Sequence, residues 1–145
     1  MNNKTYTPKK SEINRKWYII DAKDLTIGKI ATEAANILRG KNKPEFTPNM
    51  DMGDNLIIIN AKDVKFTGNK LNNKMYRRHT GYLGGLKELT ASQMMEKYPE
   101  RAIYLAVKGM IPHTKLGRAQ IKKLRVYKDE KHNHEAQKPE VWEVK

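Results

Sequence analysis

The stretch Leu56-Ile57-Ile58-Ile59 is apolar at every position. Successive residues of a β-strand point to opposite faces of its sheet, so a run of this kind buries both faces. Both faces are buried in an inner strand of a parallel or mixed sheet that helices cover. The sequence therefore predicts an α/β fold in which residues 56–59 lie inside the sheet.

Upstream of this run, the sequence predicts one more strand and one helix. Aromatic and β-branched residues at 17–20 favour a strand, and residues 21–24 favour a turn. Apolar residues then recur at helical spacing over 27–38, with Thr26 or Asp24 as candidate caps and Gly40 as the end of the helix. Strand, helix and strand in this order are typical of a layered α/β unit.

Downstream, residues 64–67 favour a short strand that Gly68-Asn69 closes. Residues 70–87 are basic, aromatic and rich in glycine, and we expect an extended loop there.

The last third of the chain favours short helices and one strand. Thr90 and Gln93 resemble a capping box for a helix at 91–98. Pro99 can open a second helix that runs to about Lys108, where Gly109 and Pro112 would stop it. A short helix at 117–123 and a strand at 124–127 follow.

We therefore expect a single layered α/β domain over residues 17–128, with a mainly parallel central sheet flanked by helices and with basic extended loops. Residues 1–16 are polar and basic, and we expect an N-terminal arm that orders on a partner. Residues 129–145 are expected to form a polar, irregular tail packed on or near the domain. The core should lie around six apolar residues: Ile19, Ile30, Leu38, Ile57, Ile59 and Val107.

The charge of the chain is strongly positive and unevenly spread. The net charge is +13, and residues 101–128 hold eight Lys or Arg and no acidic residue. Residues 1–16 and 61–87 hold the rest of the excess. Blocks of one sign favour a polyanionic partner, which is either a nucleic acid or an anionic membrane surface.

A membrane partner is the weaker of these two interpretations. The best amphipathic candidate, residues 116–125, has an apolar face of only three residues, and the run at 56–59 is far too short to span a bilayer. Residues 1–16 lack the apolar stretch of a secretory signal. The chain has no cysteine, which excludes disulfides and is compatible with a reducing compartment. We expect a soluble, cytoplasmic protein.

The strongest chemical signal is a basic and aromatic cluster within residues 70–87. Basic side chains reach phosphates, aromatic and guanidinium planes stack on unpaired bases, and glycines let the backbone approach a sugar-phosphate chain. The alternative is a solvated loop. The candidate RNA-binding residues here are Lys70, Lys74, Tyr76, Arg77, Arg78, His79, Gly84 and Gly85, beside Tyr82.

A second basic cluster lies around the turn at 108–118. Glycine and proline favour a sharp turn there, and free backbone N–H groups at a helix start can bind a phosphate. An ordinary interhelical loop is the alternative. The candidate contacts are Lys108, Gly109, His113, Lys115 and Arg118, and further candidates elsewhere are Arg39, Lys41, Lys122, Lys123, His132 and His134.

Enzymatic and metal-binding patterns are weak in this sequence. His132 and His134 could hold a metal, but no full ligand set accompanies them, so RNA contact or exposure is favoured. Gly28-Lys29 lacks the earlier glycine and the following hydroxyl of a phosphate loop. Asp51 and Asp54 could pair as acid and base, but a turn is favoured. We expect no cofactor and no small-molecule substrate; a nucleotide- or RNA-modifying enzyme and a messenger-RNA-binding regulator remain alternatives.

The order of motifs resembles the ribosomal protein L13 family of the large subunit, in its bacterial form. The motifs are short, and their series over residues 15–139 is specific. They include Trp17-Tyr-Ile-Ile-Asp21-Ala22, Ile27-Gly28-Lys29-Ile-Ala31, Leu38-Arg39-Gly40-Lys41, Tyr76-Arg-Arg-His79-Thr80-Gly81-Tyr82-Leu-Gly84-Gly85, Ala106-Val107-Lys108-Gly109-Met110-Ile-Pro112 and His132-Asn-His134-Glu-Ala136-Gln137-Lys-Pro139. The chain departs from the usual pattern at Lys29, Leu83, Ile111, His113 and Asn133.

The resemblance implies a compact α/β domain on the outer face of the large ribosomal subunit. It implies contact with large-subunit ribosomal RNA in more than one domain, neighbouring ribosomal proteins as partners, a role early in assembly and no enzymatic activity. Without it, the residues alone predict a basic, RNA-binding α/β domain.

Overall fold

A computed structural model describes residues 7–144 of the chain. Its centre is a four-stranded parallel sheet made of β1 (Trp17–Asp21), β2 (Asn55–Ile59), β5 (Leu124–Val126) and β6 (Glu140–Val141), in the order β5-β2-β1-β6. Strand β2 pairs with β1 in the register Ile57 to Ile19 and with β5 in the register Ile57 to Arg125. The prediction of an inner parallel strand at 56–59 is confirmed.

Helices pack against the sheet and enclose the core. The long helices are α1 (Ile27–Arg39) and α4 (Pro99–Met110), and the short ones are α2 (Lys70–Asn73), α3 (Ala91–Lys97) and α5 (Lys115–Ile121). Gly40 ends α1 in the left-handed conformation at φ 80°, and its N–H donates to the carbonyls of Asn36 and Ile37. A residue with a Cβ is disfavoured at such a cap, which explains the glycine.

Helix boundaries follow the predicted caps closely. Thr90 and Gln93 form the expected capping box at the start of α3, and Pro99 occupies the first turn of α4. Gly109, however, does not stop α4. It lies inside the last turn of that helix, which ends at Met110.

The largest correction concerns residues 70–87, which do not form an extended loop. Helix α2 is followed by an antiparallel hairpin of β3 (Met75–His79) and β4 (Leu86–Thr90). We call this two-stranded element the basic hairpin. It forms a sheet separate from the central one.

Two further expectations are wrong. Residues 64–67 form no strand, and Lys65 makes only an isolated bridge with Thr26. The tail at 129–145 is not wholly irregular, since β6 adds an edge strand to the central sheet beside β1. Trp142 packs edge-on against Tyr18 at 5.1 Å between ring centroids, which attaches the tail to that edge.

The core lies between the sheet and the helices, as expected, but two of the six expected core residues are only half-buried. Ile30, Leu38, Ile57 and Val107 are fully buried, whereas Ile19 and Ile59 are half-buried. Their neighbours Ile20 and Ile58 are fully buried instead. In the described part of the chain, no helix has the length and apolarity needed to cross a membrane. Residues 1–6 of the expected arm and Lys145 lie outside the described residues.

Candidate nucleic-acid interface

The basic hairpin places its cations on rigid strands. Arg77 is opposite Glu88, and Arg78 is opposite Lys87. The Arg77 guanidinium donates to the Glu88 carboxylate, so this cation is neutralised within the chain. Arg78 and His79 are exposed, and no ion pair holds Arg78 or Lys87 within residues 7–144.

The hairpin tip depends on its glycines. Gly81 and Gly84 have φ of 92° and 70°, and a Cβ on Gly85 would collide with the Thr80 side chain. The Gly85 N–H donates to the Tyr82 carbonyl at 2.9 Å. The predicted role of Gly84 and Gly85 in close RNA approach is therefore not needed to explain them, because the turn itself requires glycine.

The same turn exposes two large apolar side chains. Tyr82 retains 80% and Leu83 105% of its accessible surface. Two adjacent apolar side chains that are exposed in this way are suited to a partner surface rather than to the core of this chain.

Three predicted residues lie at the base of the hairpin. Lys70 donates to the Thr67 hydroxyl at 3.2 Å. The Lys74 ammonium lies 5.4 Å from the centroid of the Tyr76 ring, within the range of a cation–π contact. Burial raises the pKa of Tyr76.

The turn between α4 and α5 gathers the second predicted cluster. Lys108, His113 and Arg118 line one cleft, and Lys115 begins α5 beside it. The Thr114 hydroxyl caps α5 by accepting the N–H of Gly117. A Cβ on Gly117 would collide with the Pro112 carbonyl, so this glycine lets α5 pack closely on the turn. The structure thus brings four of the five predicted side chains and backbone positions together around one turn.

Arg39 and Lys41 flank Gly40 at the end of α1, where Lys41 is exposed and Arg39 half-buried. Lys122 is exposed, but Lys123 is not available to RNA. Its ammonium donates to the carbonyls of Leu38 and Gly53 at 3.2 and 2.9 Å and pairs with Asp51. Burial lowers the Lys123 pKa, and the bond to Asp51 opposes that shift. We therefore remove Lys123 from the candidate contacts.

His132 and His134 pack in the tail. The His134 ring lies 5.1 Å from that of Trp17 and 6.0 Å from that of Tyr127, and the His134 N–H donates to Nδ1 of His132. No group of three or more metal-ligating side chains occurs within residues 7–144. These rings therefore help to attach the tail to β1 and β5.

Sequence reasoning missed two groups of residues. Lys87, Tyr98 and Arg101 join Tyr76 and Arg78 around a cleft beside the hairpin, which only the strand pairing brings together. Asp54, expected in a turn, is fully buried and accepts the Lys43 ammonium at 2.7 Å and the Lys16 N–H at 2.9 Å. The sequence carries no signal for the first group, because Tyr76 and Arg78 meet Leu89 and Lys87 only through the pairing of the two strands.

The fold and the surface define a class of protein: a basic α/β domain whose exposed cations suit a polyphosphate chain and whose described residues include no metal-ligating cluster. Comparison with known proteins then gives the family. The family model for ribosomal protein L13 matches residues 15–133. The chain belongs to the ribosomal protein L13 family, which confirms the resemblance of its motifs.

Curated relatives match over almost the whole chain. The large ribosomal subunit protein uL13 of Desulfitobacterium hafniense (strain DSM 10664 / DCB-2) is 59% identical over 140 residues, which cover 97% of this chain and 98% of that relative. The protein of the same name from Finegoldia magna is 58% identical over 142 residues, covering 98% and 99%. That from Bacillus cereus is 54% identical over 141 residues, covering 97% of each chain.

Proposed function

We propose that this chain is a structural constituent of the large ribosomal subunit, in the cytoplasmic ribosome, and that it binds large-subunit ribosomal RNA. Family membership and relatives named as large ribosomal subunit proteins support this proposal. The chain works as a scaffold component and not as an enzyme. Its partners are ribosomal RNA and neighbouring ribosomal proteins.

The observation that carries RNA binding is the set of cations left without acidic partners. Seven ion pairs occur within residues 7–144, and they include Arg77 and Lys123 but none of the other predicted basic contacts. A cation that the fold does not neutralise is free to neutralise a phosphate and release its counterion. The surviving basic candidates are Arg39, Lys41, Lys70, Lys74, Arg78, His79, Lys108, His113, Lys115, Arg118, Lys122, His132 and His134.

These cations lie on separate elements of one domain. The end of α1 and the α4–α5 turn adjoin the core between α1 and α4, and the hairpin contacts α3, which packs on α4. A domain of this kind can hold several RNA helices close together by offsetting the repulsion between their phosphates. This mechanism stabilises RNA folding during early assembly without any chemical step.

We also propose that residues 1–16 serve as an arm, residues 17–128 as the RNA-binding domain and residues 129–145 as a tail. The base of the arm is fixed to the domain, since Lys43 donates to the Asn14 carbonyl at 2.8 Å and Asp54 accepts the Lys16 N–H. This attachment holds Asn14 and Lys16 against the domain.

The test is a sucrose-gradient separation of cell lysate, probed for this chain before and after a high-salt wash. We expect co-sedimentation with the large subunit at near-unit stoichiometry. Binding of the isolated chain to large-subunit ribosomal RNA should fall steeply with salt, on the order of 10³ or more between about 50 and 200 mM. Free protein at the top of the gradient would contradict the proposal.

Binding to messenger RNA, considered from the sequence, has no separate support in the structure or in the relatives. Competition between messenger and ribosomal RNA fragments for the full chain tests it. We expect ribosomal RNA to win at equal concentration.

A further inference from the structure

A cleft of about 300 Å³ lies between the basic hairpin and helices α3 and α4. Its apolar part comes from Leu89, Met94 and Leu105, and two tyrosines, Tyr76 and Tyr98, add ring surface. Tyr98 keeps 52% of its surface exposed although it stands at the junction of α3 and α4. The cleft therefore has the apolar and aromatic lining of a small-ligand site.

On the hairpin side, the cleft is bordered by cations that have no acidic partner within residues 7–144. Tyr76 pairs with Leu89 and Arg78 with Lys87, and because side chains alternate along a strand these two pairs share one face. Like charges directly opposite each other destabilise a hairpin. Arg101 adds a third cation to the same cleft, and none of the three forms an ion pair within residues 7–144.

The opposite face of the hairpin differs in this respect. There Arg77 is opposite Glu88, and the two form an ion pair, so Arg77 adds no unpaired charge to the cleft that it also borders. The Arg77–Glu88 pair is thus neutral, whereas the cleft face keeps the like-charged pair of Arg78 and Lys87 beside the rings of Tyr76 and Tyr98. Such a face suits a ligand that brings both negative charge and a flat apolar surface.

We propose that this cleft binds one unpaired nucleotide of the RNA, with its base against Tyr98 and Tyr76 and its phosphates beside Arg78, Lys87 and Arg101. An aromatic ring accepts the face of any base, and the guanidinium and ammonium groups accept the backbone on either side of it. A fully paired helix cannot place a base there. This inference rests on the proposed RNA-binding function and identifies the form of RNA that the hairpin takes.

The first test is ultraviolet cross-linking of the full chain bound to large-subunit ribosomal RNA, followed by mass spectrometry of the nucleotide-bearing peptides. Cross-links form between a base and a ring in direct contact. We expect a nucleotide on the peptide that carries Tyr98 or on the one that carries Tyr76. Tyr104, exposed on α4 but outside the lining of the cleft, is the internal control.

The second test compares the affinity of variants for the same RNA. Tyr98→Ala should weaken binding on the order of tenfold, as loss of one stacked base does, whereas Tyr98→Phe should bind like the unaltered chain and Tyr104→Ala nearly so. Lys87→Gln should weaken binding more than Lys62→Gln, which removes the same charge from an ion pair with Asp129 elsewhere. Circular dichroism and thermal melting check that each variant is folded.

The outcomes separate the cleft from the wider function. If the unaltered chain binds ribosomal RNA while Tyr98→Ala matches Tyr104→Ala and no cleft tyrosine is cross-linked, the cleft proposal is wrong and RNA binding stands. If Tyr98→Ala and Lys87→Gln bind the isolated RNA like the unaltered chain but are no longer retained on the assembled subunit, the cleft holds an acidic protein segment. That result also overturns the proposal that the cleft binds a nucleotide. If the unaltered chain does not bind the RNA at all, the proposed function itself fails.

Discussion

Replacing Gly109 by alanine should make the folded protein more stable and its RNA complex weaker. Gly109 lies in the last turn of α4, with no positive φ, and nothing lies within 4 Å of a Cβ added to it. Neither backbone conformation nor packing within the described residues therefore requires glycine at this position. Glycine costs a helix backbone entropy, so an alanine that fits without strain is favoured by the fold alone.

The size of the gain follows from helix propensity. Gly→Ala in a helix interior is worth roughly 0.5–1 kcal/mol, and the position in the final turn places Gly109 at the lower end. For a chain of this size, about 0.5 kcal/mol corresponds to a rise of roughly 1–2 °C in Tm. Urea unfolding followed by circular dichroism measures the free energy, and filter binding measures the affinity for large-subunit ribosomal RNA.

The expected loss of affinity follows from the candidate RNA contact at Gly109, beside Lys108, where the absence of a side chain would let the RNA approach the backbone closely. A methyl group that displaces one phosphate contact should cost about 1 kcal/mol, or roughly fivefold in Kd. Gly28→Ala in α1 is the matched control, since a Cβ there also meets nothing within 4 Å. Equal RNA affinity for Gly109→Ala and Gly28→Ala would refute close approach at Gly109. A destabilised Gly109→Ala would refute the account of its packing.

Three further results are expected. Asp54→Ala should lower the free energy of unfolding by about 3–5 kcal/mol, because it leaves the Lys43 ammonium, only 21% exposed, without its carboxylate; a Tm within a degree of the parent would contradict this. Burial raises the pKa of Tyr76 above its ordinary 10.0, so the stability that Tyr76 contributes is complete below that pH and is lost as the pH rises through the pKa in the folded state. Urea melts at alkaline pH should therefore show a smaller loss of stability for Tyr76→Phe than for the parent. Identical losses would show that Tyr76 does not contribute to the alkaline loss. Replacing Tyr82 and Leu83 together by serine should leave Tm unchanged, since both are exposed, yet weaken RNA binding in the filter assay; unaltered affinity would make the tip dispensable.

The central fold could be predicted because its signals are local or strongly apolar. The apolar side chains at 56–59 are removed from water only if both faces of the strand are buried, and the structure buries Leu56, Ile57 and Ile58 completely. The Thr90 capping box and Gly40 cap are set by backbone hydrogen bonding within a few residues. Such features do not depend on distant parts of the chain.

The basic hairpin was missed because its strands lack an apolar face in the sequence. In β3 every residue except Tyr76 is exposed, so no alternation of apolar and polar residues marks the strand. Strand β3 forms because it pairs with β4, which begins seven residues after β3 ends, and the amino-acid composition does not indicate this pairing. The glycines that suggested an extended loop are the ones that the tight tip requires.

Lys123 failed as a contact for a related reason. Nothing in the sequence distinguishes it from Lys122, yet one side chain points to solvent and the other enters the fold to meet Leu38, Asp51 and Gly53. The partners are distant in sequence, so only tertiary structure can assign the role. A charge count over a segment therefore overstates the number of cations that face a partner.

The difference between a loop and a hairpin matters for the mechanism. Cations on a loop must be ordered when RNA binds, and that ordering costs conformational entropy for each side chain and backbone unit. Strands β3 and β4 fix the backbone before RNA arrives, with residues on one face roughly 7 Å apart along each strand. The repulsion between Arg78 and Lys87 is then a cost already present in the free protein, and a phosphate placed between them removes it. Relief of this repulsion therefore adds to the free energy of RNA binding. In this way a scaffold protein without a chemical step can favour one arrangement of RNA.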